Sequence, residues 1–379
     1  MGAEILLYGY GLVCLSMLCF NLLYAASLRA GSRRMARRVS DVDRLVAAQL
    51  RRIQEGKKVE KRHLSRMDRK LFRVRGLLAF DRYLDRASAA EPVFQQYLFQ
   101  MQPVFLYLAT VYLRRESTQA AYYCHFLARH QLQRHLPISQ IQQVIAAYME
   151  RDDLYCRVNA LKALCAFGSA EVIVQALGML RSGQAVPLHH KVIVETLLSF
   201  TGCGEDLIQK LWESFRQFPP QVQRAILDYI RFQSGDHRAA MLEILQDSFQ
   251  DKELHFAAIR YFERYPHPPA LPILLRFVRD PDPLRWEYAA ISASALARYS
   301  GGEVVEALLQ AMRSPNWYVR CNASESLEAH QLSDTDLLEV TAGSDRYARE
   351  MLLYRLEEAR TLAECPAEPA ADSSEEAVL

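Results

Sequence analysis

Between Ile5 and Leu28 the chain runs for 24 residues without a charged side chain, and no other feature restricts its folding as much. So apolar a run is best satisfied as a helix, which closes its backbone hydrogen bonds internally and needs no water. At about 1.5 Å per residue it is ~36 Å long, enough to cross a ~30 Å hydrocarbon core with some tilt. Tyr8 and Tyr10 stand near one end and Tyr24 near the other, where interfacial anchors belong. Arg29, Arg33, Arg34, Arg37 and Arg38 follow at once, whereas nothing basic but the amino terminus precedes the run. The positive-inside rule then predicts a single-pass protein of the inner membrane, N-terminus outside and the remainder cytoplasmic, with these five arginines at the membrane surface.

Met1-Gly2-Ala3-Glu4 lacks the basic start of a cleaved signal peptide, although Ala25-Ala26-Ser27 imitates a cleavage site. Leu6 stands where a myristoylation signal has Ser or Thr. Gly9, Gly11, Ser16 and Asn21 are candidates for contact with a partner helix in the membrane, because small residues permit close approach and an amide in lipid seeks a hydrogen bond. Ordinary tolerance within a lone anchor accounts for them equally well.

The net charge of +2 conceals a strong asymmetry. Residues 29–75 hold 17 Lys/Arg against 5 Asp/Glu, and the rest of the chain is acidic. Val42, Leu45, Val46, Gln49 and Ile53 recur at helical spacing, so residues 40–55 read as a basic amphipathic helix interrupted at Gly56-Lys57-Lys58. Leu64, Met67, Leu71, Val74 and Leu78 then describe a second helix packing along one seam. Each Lys or Arg close to an anionic leaflet is worth ~1 kcal/mol, so residues 29–90 are expected to form a helical juxtamembrane connector held on an anionic lipid surface. A solvated, topology-setting linker and a nucleic-acid footprint are the competing readings. The eight cysteines form no CxxC pair and no regular framework, as free thiols in a reducing compartment would.

Beyond residue 90 strand signals nearly vanish, and apolar helical segments alternate with short Pro/Asp/Gly/Ser breaks. Pro103, Pro137, Pro187, Pro219, Pro268, Pro283 and Pro315 stand at or near segment starts, where a missing N–H is harmless. A core position marked by Ala160, Val194, Leu227, Ala258, Ala289, Ala323 and Leu352 recurs at separations of 34, 33, 31, 31, 34 and 29. Such drift around a constant unit is expected of two-helix repeats with variable loops. In Asp152-Asp153-Leu154-Tyr155-Cys156-Arg157-Val158-Asn159-Ala160, Asp280-Pro281-Asp282-Pro283-Leu284-Arg285-Trp286 and Pro315-Asn316-Trp317-Tyr318-Val319-Arg320-Cys321-Asn322-Ala323, a polar turn caps a helix and an Arg lies near its start.

In these copies the chain resembles HEAT-like repeats, particularly the short bacterial kind with an Asp-x-Asp-Pro turn, Val-Arg and paired Ala. The resemblance covers roughly residues 139–360 and, more weakly, 92–136. Residues 221–265 lack the Val-Arg signature, with Arg224 and His255 near where it should fall. It implies an all-α chain, with an α-solenoid over residues 91–362 behind a transmembrane anchor in residues 1–28. Residues 363–379 carry five acids and no base and are expected to be disordered.

No phosphate-binding glycine loop, nucleophile elbow, HExxH or EF-hand pattern occurs. Asp280-Pro281-Asp282 reads as a capping turn rather than a metal site, and His189-His190 and Cys124-His125 as ordinary helix residues. Some HEAT-like proteins are iron hydroxylases with paired His-Glu dipeptides, and this chain has none. No enzyme activity, cofactor, metal or small-molecule substrate is therefore expected. Among Trp212, Trp286, Trp317, Tyr318, Arg285 and Arg320 at repeat turns, Arg285, Trp286, Trp317, Tyr318 and Arg320 are the candidates for a protein-recognition edge, since these residue types dominate binding hot spots. The expected function is a membrane-anchored scaffold for a protein partner, such as a subunit of a transport complex or a polysaccharide-synthesising glycosyltransferase. The alternative is an RNA- or ribosome-binding membrane factor using the basic connector.

Overall fold

The structure is a computed structural model that describes residues 2–87, 91–132, 138–180, 187–330, 332 and 337–364. Pro137 and the acidic stretch 365–379 lie outside the described residues. Within them the chain is helical throughout and contains no strand. It divides into two compact units, Met1–Ser214 and Phe215–Leu379.

The first unit holds α1 (Gly2–Gln54), α2 (Lys61–Leu71), α3 (Val74–Leu84), α4 (Pro92–Gln100), α5 (Gln102–Leu113), α6 (Ser117–Arg129), α7 (Ile138–Ala146), α8 (Leu154–Phe167), α9 (Ala170–Gly178), α10 (His190–Leu197) and α11 (Gly204–Glu213). The second holds α12 (Pro220–Gln233), α13 (Arg238–Gln246), α14 (Lys252–Arg264), α15 (Leu271–Val278), α16 (Trp286–Ala295), α17 (Gly302–Ala311), α18 (Trp317–Ala329), α19 (Leu338–Thr341) and α20 (Arg346–Glu364).

The sequence predicts an anchor and a separate amphipathic helix over 40–55, whereas α1 is one continuous helix of 53 residues, about 80 Å long. No proline interrupts residues 29–39, and their Arg, Ala and Met residues favour helix. From Tyr8 to Leu28 every residue is exposed except half-buried Ala25. From Val39 onward one face, comprising Val39, Val42, Val46, Gln49 and Ile53, is buried against the unit's core, where α1 packs on α3 and α4. The helix stops where expected. Gly56 adopts φ +73°, its N–H bonds the Ile53 carbonyl at 2.9 Å, and the Lys57 N–H bonds the Arg52 carbonyl at 2.9 Å, a glycine-closed Schellman end. The seam predicted from Leu64 to Leu78 is split, because the chain breaks at Phe72 and Arg73 to separate α2 from α3. The buried Tyr112 hydroxyl takes the Leu71 carbonyl at 2.9 Å, satisfying an acceptor that continued helix would have used.

Later helices pack in an alternating pattern. In the second unit α12, α14, α16, α18 and α20 each pack on the next, and α13, α15, α17 and α19 each pack on the helix that follows. In the first unit α6, α8 and α10 form such a row, and α5, α7, α9 and α11 form another. All seven residues of the recurrent core position are buried. The polar turns cap as the sequence predicts: Asp153 accepts from the Cys156 N–H at 2.8 Å, Asp282 from Leu284 at 2.9 Å and Asn316 from Tyr318 at 2.9 Å, and Asp251, not singled out in the sequence, accepts from Glu253 at 2.8 Å. Neighbouring helices of the row are further tied by bonds between residues 32 and 33 apart in the chain, as where Asn322 donates to the Ala290 carbonyl at 2.8 Å and Ser326 to the Ala293 carbonyl at 2.7 Å.

The base of the first unit is sensitive to acid. His63 on α2 is buried with Nε2 2.9 Å from the Tyr97 hydroxyl of α4. Burial, then the Arg66 charge, lowers the imidazole to about 4 against the pull of Glu60. The unfolded chain therefore binds a proton that the folded one refuses, so this contribution is complete above the ordinary value of 6.5 and lost as pH falls from there towards 4. Urea titrations between pH 7.5 and 4 are expected to show a fall of about 2 kcal/mol that the His63→Gln variant lacks. An unchanged pH slope in that variant would refute the assignment.

Candidate functional site

The five candidate residues of the recognition edge all lie in the second unit, at the starts of α16 and α18, and three of them meet. Asp282 caps a short 3-10 turn, Pro283–Arg285, which delivers Trp286 to the first position of α16, while Asn316 caps α18 directly at Trp317. Because α16 packs along α18, Trp286 stacks on Tyr318 with ring centres 5.4 Å apart, and Trp317 meets Tyr318 edge-on at 5.1 Å. Trp317 and Tyr318 remain more than half exposed, at 53% and 56%. Such aromatic surface is stiff and carries polar handles, which suits it to docking.

The two arginines serve a different purpose. Arg285 donates to Asp280 at 2.8 Å and lies 5.1 Å from the Tyr288 ring centre, while Arg320 donates to the Ser314 carbonyl at 2.7 Å and sits 5.8 Å from the ring of Tyr347. Both guanidinium groups bind the turn that precedes their own helix. Each such bond takes one of the five N–H donors of its guanidinium group. Trp212 is half-buried on α11, in the first unit.

Trp286 separates two clefts. One of about 610 Å³ is walled by Asp280, Pro283, Arg313, Pro315 and Asn316, and the other, of about 400 Å³, by Phe256, Arg260, Glu263, Tyr318 and Asn322. Leu284 and Tyr347, at 85% and 70% exposure, extend the apolar edge. Sequence reasoning missed both, though each follows a turn Asp two residues earlier, as Tyr318 follows Asn316.

On α1 the candidate membrane-surface residues Arg29, Arg33, Arg34 and Arg37 are exposed and Arg38 is half-buried. Arg34 Nε bonds the Ala30 carbonyl at 3.1 Å. Gly9 and Gly11 have nothing within 4 Å of where a side chain would project. Ser16 returns its hydroxyl to the Val13 carbonyl at 2.8 Å, and Asn21 is exposed. This is the one described helix long and apolar enough to cross a membrane, and a signal sequence also fits it.

The cluster best placed for a metal is Asp81, Asp85 and His130, whose ligand atoms lie within 4.8 Å of one another. Its carboxylates are already engaged. Asp81 accepts from the Tyr122 hydroxyl at 2.5 Å and lies 2.5 Å from His130 Nε2, and Arg129 reaches Asp85 at 3.1 Å and Asp81 at 3.6 Å. Burial opposes the charge on Asp81, but the bonds from His130 and Tyr122 hold its carboxyl below the ordinary value. The arginine supplies the positive charge a metal would bring, so the cluster reads as a clasp between α3 and α6. Elsewhere His189 caps α10 through its ring nitrogen, 3.3 Å from the Lys191 N–H, and Asp280-Pro281-Asp282 forms a capping turn. The seven described cysteines are free, and burial raises the thiols of Cys124, Cys156 and Cys165.

No protein-family model and no curated protein matches this chain.

Proposed function

We propose that the chain is a membrane-anchored, non-catalytic scaffold in which residues 5–28 span the inner membrane with the N-terminus outside. In this reading the packed helices form a cytoplasmic α-solenoid of HEAT-like hairpins that holds a protein partner. The observation that carries it is α1 itself, apolar and exposed over its first half and packed into the first unit over its second. Only ten residues, about 15 Å of helix, separate Arg29 from the first buried position at Val39. The first unit would thus stand close to the bilayer on a stiff stalk, which confines it for a membrane-bound partner and raises effective concentration without high intrinsic affinity. Arg29, Arg33, Arg34 and Arg37 would lie at an anionic surface, and Gly9, Gly11, Ser16 and Asn21 would be free to meet a partner's helix.

The docking surface in this reading is Trp286, Trp317 and Tyr318, extended by Leu284 and Tyr347. The closed networks around His63 and Asp81 support a structural rather than catalytic use of these two buried groups. A subunit of a transport complex or of a polysaccharide-synthesising glycosyltransferase is the kind of partner proposed. Cross-linking mass spectrometry on intact membranes tests anchor, orientation and partner together. The double variant Trp317→Ala/Tyr318→Ala is expected to stay in the membrane fraction while losing partner affinity by about 2 kcal/mol, close to thirtyfold. Unchanged cross-links in that variant would remove the aromatic edge from the proposal, and recovery of no membrane partner would remove the scaffold.

A further inference from the structure

Six cations gather along one side of α2, beside Leu45 of α1. A cleft of about 780 Å³ is lined by Leu45 and by six cations: Lys61, Arg62, Arg66, Arg69, Lys70 and Arg73. No carboxylate lines it, and none of the six forms an ion pair among the described residues. Three cations elsewhere on the same stretch are paired: Arg44 with Asp41, Arg52 with Glu60 at 3.2 Å, and Lys57 with Glu55 at 2.7 Å. The sequence shows an excess of positive charge over 29–75, but only the folding of α2, with Leu45 of α1 beside it, gathers part of it into one concavity.

The arrangement is chemically specific. Positions 62, 66 and 69 follow helical spacing, so three guanidinium groups form one row over about 10 Å of α2, with Lys61 and Lys70 beside them and Arg73 just past the helix end. Like charges so spaced repel each other. Lys70 is held below its ordinary value chiefly by partial burial, with Arg44 and Arg66 adding to the effect and Asp41 opposing it. An anion in the cleft would relieve this repulsion. Guanidinium forks match phosphate oxygens two at a time, and a row of them matches several phosphates held close together.

Depth along α1 narrows the source. The Glu60 N–H bonds Gln49 Oε1 at 3.1 Å, while Lys70 feels the charges of Asp41 and Arg44, so α2 runs back along α1 towards the apolar half. The near end of the cleft stands level with Asp41, twelve residues or about 18 Å beyond Arg29. A bilayer's polar layer is only about 5–8 Å deep on each side. We propose that the α1–α2 cleft binds a compact soluble anion bearing several phosphate groups, rather than a lipid headgroup in the bilayer plane. The cleft itself rests on the placement of α2 beside Leu45 of α1, while the choice of a soluble source rests on reading α1 as a membrane anchor.

Calorimetry on the full chain in phosphatidylcholine nanodiscs, with inorganic tripolyphosphate as the probe, tests this directly. One saturable site is expected, weakened about thirtyfold or more in Arg66→Gln/Arg69→Gln/Lys70→Gln and less than about twofold in the collar variant Arg33→Gln/Arg34→Gln/Arg37→Gln. Five of these six side chains are exposed and the sixth half-buried, so both variants are expected to keep the wild-type circular dichroism and melting curve. No saturable binding, or equal losses in the two variants, overturns the cleft. Nanodiscs containing phosphatidylglycerol are expected to leave the affinity unchanged, and competition by that lipid overturns the soluble source. A 20-nucleotide single-stranded RNA binding more than about a hundredfold tighter than tripolyphosphate overturns it in favour of nucleic acid. If alkaline carbonate strips the protein from membranes while tripolyphosphate still binds, the anchor fails and the cleft stands. If binding fails in a protein that resists carbonate, only the cleft fails.

Discussion

Gly76→Ala is expected to cost the first unit about 3 kcal/mol or more. A Cβ on Gly76 would lie 1.9 Å from the Lys70 carbonyl oxygen and 2.8 Å from its carbon. Both are backbone atoms, so no rotamer change relieves the clash and the corner between α2 and α3 must open. That movement would displace Leu77 and Phe80, both fully buried, from the core. Gly178, at the end of α9, has nothing within 4 Å of its Cβ position, so Gly178→Ala is expected to stay within about 1 kcal/mol of wild type. Urea denaturation followed by circular dichroism separates the two variants. A Gly76→Ala protein as stable as wild type would show that the close approach is absent. A variant that opens this corner is also expected to lose the cationic cleft, because Arg73 belongs to the same corner.

Phe126→Ala is expected to remove about 3–5 kcal/mol, the largest effect anticipated for a single side chain. The ring is fully buried on α6, 5.4 Å from His130, 6.1 Å from Phe80, 6.2 Å from Tyr123 and 6.3 Å from Phe105 by ring centres. Its loss combines the transfer term with a cavity among aromatic groups that cannot collapse freely, since Tyr123 is tied to the Phe105 carbonyl at 2.5 Å. The same deletion releases the neighbour that holds His130 against Asp81. Phe249→Ala supplies the contrast: that ring is 98% exposed, and its removal is expected to fall within about 0.5 kcal/mol. Equal stability losses at the two sites would refute the assignment of Phe126 to the core.

Helical character, the recurrent core and the capping turns were legible because each depends on residues within a few positions of one another. Ala160, Ala258 and Ala323 could be picked out by interval alone, and Asp153, Asp282 and Asn316 by the helix starts they precede. The continuity of α1 was not legible. Two differently patterned segments, one apolar and one amphipathic, look separate in a pattern search, and no breaker between them marks whether the helix goes on. The break at Phe72 and Arg73 was hidden for the converse reason, since the apolar spacing runs on while the backbone leaves the helix at those two residues.

Of the candidate recognition edge, the meeting of Trp286, Trp317 and Tyr318 and the bonds of Arg285 to Asp280 and of Arg320 to the Ser314 carbonyl emerge only in the folded chain. The Asp81–His130 clasp joins residues 49 apart in the chain, with no local signal at either end. The six-cation cleft is an intermediate case, its charge visible in the sequence and its concavity not.

By itself, then, the sequence determined that this chain is helical, that it carries one apolar run long enough to cross a bilayer, that its buried positions recur every 29 to 34 residues, and where its helices are capped. These are consequences of backbone hydrogen bonding and side-chain periodicity, which act over a turn or two. Only the tertiary structure decided that the apolar run and the first packed helix are a single rod, that Trp286 lies on Tyr318, and that six cations face one hollow. Such juxtapositions depend on how one helix is rotated and set against another. The close packing of groups far apart in the chain decides that rotation, and no local pattern encodes it.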